Sequence, residues 1–158
     1  MKGLPSLSIA LFGMCAAVSA LAAEKPQTIS PERLQAYWLL ADTGNPSVPN
    51  SGHNLNAPSC AAVSYVVEKD GSTSHVKLEK IEPEGDLSKV AVNVVGAMRF
   101  APAPQNLGKT PVLTYVVLPF NLPDATAPDA ADRELRASTL AKCRLDNFAP
   151  SADVIRVR

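Results

Sequence analysis

Histidine and tryptophan are scarce in this sequence, and neither sign of charge is in excess. Only two histidines, His53 and His75, occur among 158 residues. One lies in a Pro/Gly/Asn-rich stretch and the other on a strand-like one, and neither belongs to a nucleophile motif. With no triad or dyad to assemble, no catalytic residue is assigned and a non-enzymatic role is expected. Metal ligands are missing as well: His53, Cys60, His75 and Cys143 show none of the paired spacings that hold zinc. Glu82, Glu84 and Asp86 form an acidic cluster without the defined oxygen-rich loop that calcium requires, and capping of a helix by a carboxylate accounts for it. No cofactor is expected. Basic and acidic residues both number 15, so the chain has no cationic surplus to displace counterions from nucleic acid or an anionic membrane. No nucleic-acid partner is expected.

What is present begins with an export pattern. Lys2 precedes an apolar run from Leu7 to Leu21, and Ala20 and Ala22 fit the small-x-small cleavage rule, so residues 1–22 read as a cleavable signal peptide with a mature start at Ala23. The expected location is the periplasm. The alternative is an uncleaved anchor in the inner membrane facing the periplasm, although the run falls short of the roughly 20 residues of a comfortable span. Phe12-Gly13-Met14 before Cys15 lacks the Leu and small residue of a lipoprotein site. Loss of residues 1–22 removes Cys15 and leaves Cys60 and Cys143, an even pair in an oxidising compartment that is expected to form a disulfide. Two buried free thiols are the other possibility.

Periodicity then divides the chain. In residues 23–60, Ser30-Pro31-Glu32-Arg33 has the hydroxyl cap and first-turn proline of a helix start, and Leu34, Tyr37, Trp38 and Ala41 follow at i, i+3, i+4 and i+7; an amphipathic helix is expected, then a Pro/Gly/Asn linker from Thr43 to Pro58. Residues 61–122 read as the folded unit. Val63, Tyr65 and Val67 alternate along a first strand, Asp70-Gly71 supplies the positive-φ residue of a tight hairpin, and Thr73 to Ile81 returns as a second strand. Asp86 is placed to cap a helix carrying Leu87, Val90, Ala91, Val94, Val95 and Met98 on one stripe. A third strand runs from Val112 to Leu122, and Pro119 within it, lacking a ladder donor, argues for an edge. Residues 123–158 form an extension with a weakly amphipathic helix from Asp132 to Cys143. The expected fold is α+β with two layers: a three-stranded antiparallel sheet in the order 2-1-3, one helix on a face, and helical appendages at both termini.

Three stretches carry a resemblance: Val63-Ser64-Tyr65-Val66-Val67-Glu68-Lys69-Asp70-Gly71, Ala97-Met98-Arg99-Phe100-Ala101-Pro102-Ala103, and Gly108-Lys109 ahead of Val116-Val117-Leu118-Pro119-Phe120-Asn121-Leu122. Together they make residues 61–122 resemble the C-terminal domain of TonB-type energy transducers, the basic-aromatic-x-Pro-Ala segment being the most diagnostic. The family's Tyr-Pro motif ahead of strand one is replaced by Asn56-Ala57-Pro58-Ser59-Cys60. The resemblance implies recognition by strand addition, in which an extended peptide of an outer-membrane TonB-dependent transporter pairs with the third strand. Backbone groups of Leu113, Thr114, Tyr115, Val116, Val117 and Leu118 would provide the pairing, with side-chain contacts from Arg99 and Tyr115. The rival reading is a stand-alone periplasmic interaction domain that forms a homodimer through strand 112–122.

Overall fold

The computed structural model describes residues 25–45 and 51–148; the expected signal peptide and residues 149–158 lie outside that range. In chain order the elements are β1 (Gln27–Thr28), a 3-10 turn (Pro31–Ala36), β2 (Trp38–Asp42), β3 (Ser59–Val67), β4 (Thr73–Glu82), α1 (Leu87–Ala97), β5 (Arg99–Pro102), β6 (Val112–Phe120), α2 (Ala130–Ala141) and a second 3-10 turn (Asp146–Phe148).

The centre of the molecule is β3, in which every residue is buried. It pairs antiparallel with β4 across a turn closed by Gly71 at φ +81°, whose N–H donates to the Glu68 carbonyl at 2.9 Å. On its other side β3 pairs antiparallel with β6 in unbroken register from Ser59 opposite Phe120 to Val67 opposite Val112. Alternation then sorts side chains onto two faces. Ala61, Val63, Tyr65 and Val67 join the main core with Val112 and with Ala91 and Val95 of α1. The opposite residues Cys60 and Ala62 join a second cluster with Tyr115, Cys143 and Phe148.

The sheet corrects the expected three-stranded antiparallel arrangement. It has four strands in the order β1-β6-β3-β4, and β1 runs parallel to β6, so the sheet is mixed. A separate two-stranded ribbon pairs β2 with β5. The extra strand has a simple cause: Gln27 N–H donates to the Pro111 carbonyl and Ile29 N–H to the Leu113 carbonyl, both at 3.0 Å, satisfying acceptors on the edge of β6. Two residues have no periodicity to read.

The expected N-terminal helix is likewise corrected. Ser30-Pro31 does start a helical turn, but it is 3-10 and ends at Ala36, after which the chain extends as β2. Long-range pairing outcompetes the local period here. Extension lets Trp38 become almost wholly buried with its indole N–H donating to the Thr110 carbonyl at 2.9 Å, and it gives β5 a partner through the Trp38–Pro102 to Asp42–Arg99 register.

The remaining elements complete the layers. α1 buries Leu87, Val90, Ala91 and Val95 against the sheet, each large side chain contributing about 1.5–3 kcal/mol. Asp86 precedes it without capping through its side chain; its carboxylate instead accepts from the His53 N–H at 2.9 Å and ties the loop before β3 to the helix start. α2 begins at Asp129, whose carboxylate accepts from the Ala131 N–H at 2.8 Å. It is no free appendage. The Cys60 and Cys143 sulfurs are at bonding distance and fasten the end of α2 to β3, so both faces of the central strands are covered rather than one.

Candidate functional site

Strand β6 carries six of the residues expected to bind a partner, and the structure gives each a different environment. Leu113 is paired with Thr28 of β1 as well as Val66 of β3, so its outer edge is taken. Thr114 is fully buried opposite Tyr65, its hydroxyl without a hydrogen-bond partner. Tyr115 turns into the second cluster, its ring 4.9 Å from that of Phe148 and its hydroxyl accepting weakly from the Leu145 N–H at 3.4 Å. Val117 packs on the edge of the same cluster, while Val116 and Leu118 are half-buried against the main core. Arg99 stands apart. It lies exposed on β5, bridged to Ser72, with its guanidinium donating to the carbonyls of Met98 at 2.8 Å and Gly96 at 3.2 Å.

Because the Pro111 and Leu113 carbonyls accept from Gln27 and Ile29, the odd-numbered residues of β6 point their backbone groups away from β3. The next outward residues are Tyr115, Val117 and Pro119. Pro119 brings no donor, which is why it is tolerated there. Among the described residues nothing is hydrogen-bonded to the outward backbone groups of Tyr115 or Val117. This short edge forms the floor of a groove of about 460 Å³ whose walls are Pro31 and Glu32 of the 3-10 turn on one side and Ala137, Leu140, Ala141 and Arg144 at the end of α2 on the other. No family model, curated protein or solved structure matches this chain.

Charge sits only at the rim of the groove. Glu32 is held below the usual carboxylate range, first by a hydrogen bond from its backbone, then by the Ser30 hydroxyl, and to a smaller extent by Arg144 on the facing wall. The walls are otherwise small and apolar, so the arrangement can take an extended backbone and alternate side chains. Among the described residues no set of three His, Cys, Asp or Glu could hold a metal. His53 and His75 are exposed, His75 in a left-handed conformation at φ +50° where β4 bulges. No helix among the described residues is long and apolar enough to cross a membrane.

The groove walls are the part that the sequence reading missed. The sequence pattern places Pro31 and Glu32 at a helix start and shows no relation to β6. A signal for the other wall existed, because a bond between Cys60 and Cys143 must bring the end of α2 beside the central strand and hence beside its neighbour.

Proposed function

We propose that this chain is a non-catalytic recognition domain that captures an extended peptide by strand addition along β6. The observation that carries the reading is the unpartnered outward backbone of Tyr115 and Val117 on the floor of a groove walled by Pro31 and α2. Two residues, each with one donor and one acceptor, contribute about 0.5–1.5 kcal/mol per net hydrogen bond. Backbone pairing alone therefore gives weak binding, and the partner's side chains against Leu140 and Ala137 must supply the rest.

The resemblance of residues 61–122 to TonB C-terminal domains makes an extended segment of an outer-membrane TonB-dependent transporter the partner in this reading. The joined Cys60 and Cys143 are in keeping with an oxidising, periplasmic setting reached through the signal peptide at residues 1–22. The test is titration of the labelled protein with a synthetic peptide bearing a transporter's TonB-recognition segment. Amides of Tyr115 and Val117 should shift, and Val117→Pro should abolish the effect by removing the outward donor. Indifference to the peptide, together with concentration-dependent dimerisation that Val117→Pro prevents, would replace the transporter by a second copy of this chain.

A further inference from the structure

On the opposite side of the 3-10 turn lies a second cleft, of about 510 Å³, lined by Leu34, Trp38, Leu40, Met98, Phe100 and Val116. Its volume falls within the range of small-ligand sites. No charged side chain lines it, and Gln35 is its one amide. At its mouth Leu39 and Leu40 are 43% and 51% exposed, although the rest of β2 is anchored by the buried Trp38. These leucines have been left against water beside a cavity rather than folded into the core.

The wall also contains Tyr65 of β3, only 2% exposed and stacked on Phe100 with ring centroids 5.9 Å apart. Its hydroxyl makes no hydrogen bond with any described residue, and burial alone raises its pKa. A largely buried phenol normally finds an acceptor, and the Tyr65 oxygen, which is not among the fully enclosed unpaired side-chain atoms, keeps access to the cleft. The opening beside it is where that acceptor can come from.

We propose that this cleft is a ligand site for a neutral, mainly apolar small molecule carrying one hydrogen-bond acceptor, with the Tyr65 hydroxyl as donor and Leu39 and Leu40 closing over the apolar body. A ligand charge would have no counterion in this wall, so an ionised group must stay outside. The site has its own donor on β3 and its own mouth on β2, and it shares only Pro31 and Val116 with the β6 groove.

Prodan, a neutral naphthyl ketone whose emission reports both an apolar environment and hydrogen bonding to its carbonyl, is the probe. Trp38, the chain's only tryptophan, forms part of the wall and serves as the energy-transfer donor. The expected result is saturable binding at one site per chain with quenching of Trp38. Tyr65→Phe, which keeps the ring, should weaken binding roughly five-fold, the worth of one net hydrogen bond, and move bound-probe emission to the blue. Leu40→Asp, a change at an exposed position, should weaken it further, while Val117→Pro should leave it unaltered. Non-saturable binding, or equal affinity and emission with Tyr65→Phe, would overturn the proposal. So would loss of binding in Val117→Pro, which would assign the probe to the β6 groove, or absence of binding with a dimer that Leu40→Asp dissociates, which would make the cleft a docking face.

Discussion

Replacing Cys60 and Cys143 together by alanine tests how much of this fold depends on one covalent link. The two residues are 83 apart in sequence. Releasing a loop of that length restores to the unfolded chain an entropy equivalent to about 4.5 kcal/mol. For a small domain with a urea m value of about 1.5 kcal/mol/M, the unfolding midpoint should fall by about 3 M. Local consequences should be uneven. Thr139 is the one fully buried residue of α2, so the helix depends on Cys143 for its place on the sheet. Amide exchange in α2 should therefore accelerate before exchange in β3, which is buried along its whole length. The assay is urea unfolding of wild type and the double variant, each with and without reductant. Reductant should reproduce the drop in wild type and do nothing to the variant. A midpoint change below about 0.5 M would refute the reasoning, because the closed loop would then not be limiting the unfolded state.

Three further outcomes follow from individual contacts. Gly71→Ala should destabilise by about 2–4 kcal/mol, read by thermal or urea unfolding, because an added Cβ would lie 2.0 Å from the Phe100 carbonyl oxygen at a positive-φ position. Thr114→Val should raise stability by about 1 kcal/mol, since it removes a buried hydroxyl without a partner while keeping the branched shape; a loss of stability would mean that the hydroxyl is hydrogen-bonded after all. Tyr65 titrates above its ordinary value of 10.0 because burial disfavours the phenolate. The folded state then holds its proton where the unfolded state releases it, so the contribution is complete below that value and is lost on going above it, by about 1.4 kcal/mol per pH unit. Unfolding free energies compared between pH 9 and 11 should show this decline in wild type and lack it in Tyr65→Phe.

Legibility followed the range of the interactions. The Asp70-Gly71 hairpin and the stripe of α1 are short-range signals, written in turn chemistry and in helical spacing, and they stand in the structure at Glu68–Ser72 and Leu87–Ala97. β1 and β2 are not short-range. Gln27-Thr28 is a strand only because β6 offers it acceptors, and Trp38–Asp42 shows one buried residue followed by four exposed ones, so no alternation reveals it. Leu34, Tyr37 and Trp38 do face the core as their helical spacing suggests, yet two of them sit outside regular helix in the structure or at its very end. Pro119 argued for a free third strand, but β6 lies between β1 and β3 and is open only beyond the short β1; the groove around that open stretch was not legible, because its walls come from residues 31–32 and 137–144.

The bond between Cys60 and Cys143 also determines how the domain carries load. Their Cα atoms are 6.1 Å apart, and β3, β4, α1, β5, β6 and α2 all lie between them in sequence. Tension applied to the chain ahead of Cys60 and behind Cys143 passes directly from one sulfur to the other, leaving the enclosed strands slack. Only the outer segments yield: β1 would peel from β6 and β2 from β5, drawing Ile29 and Trp38 out of the core and lengthening the open edge while the β3–β4 and β3–β6 pairings held. With the cysteines reduced, the same pull would run through the β3–β6 ladder and tear the domain apart.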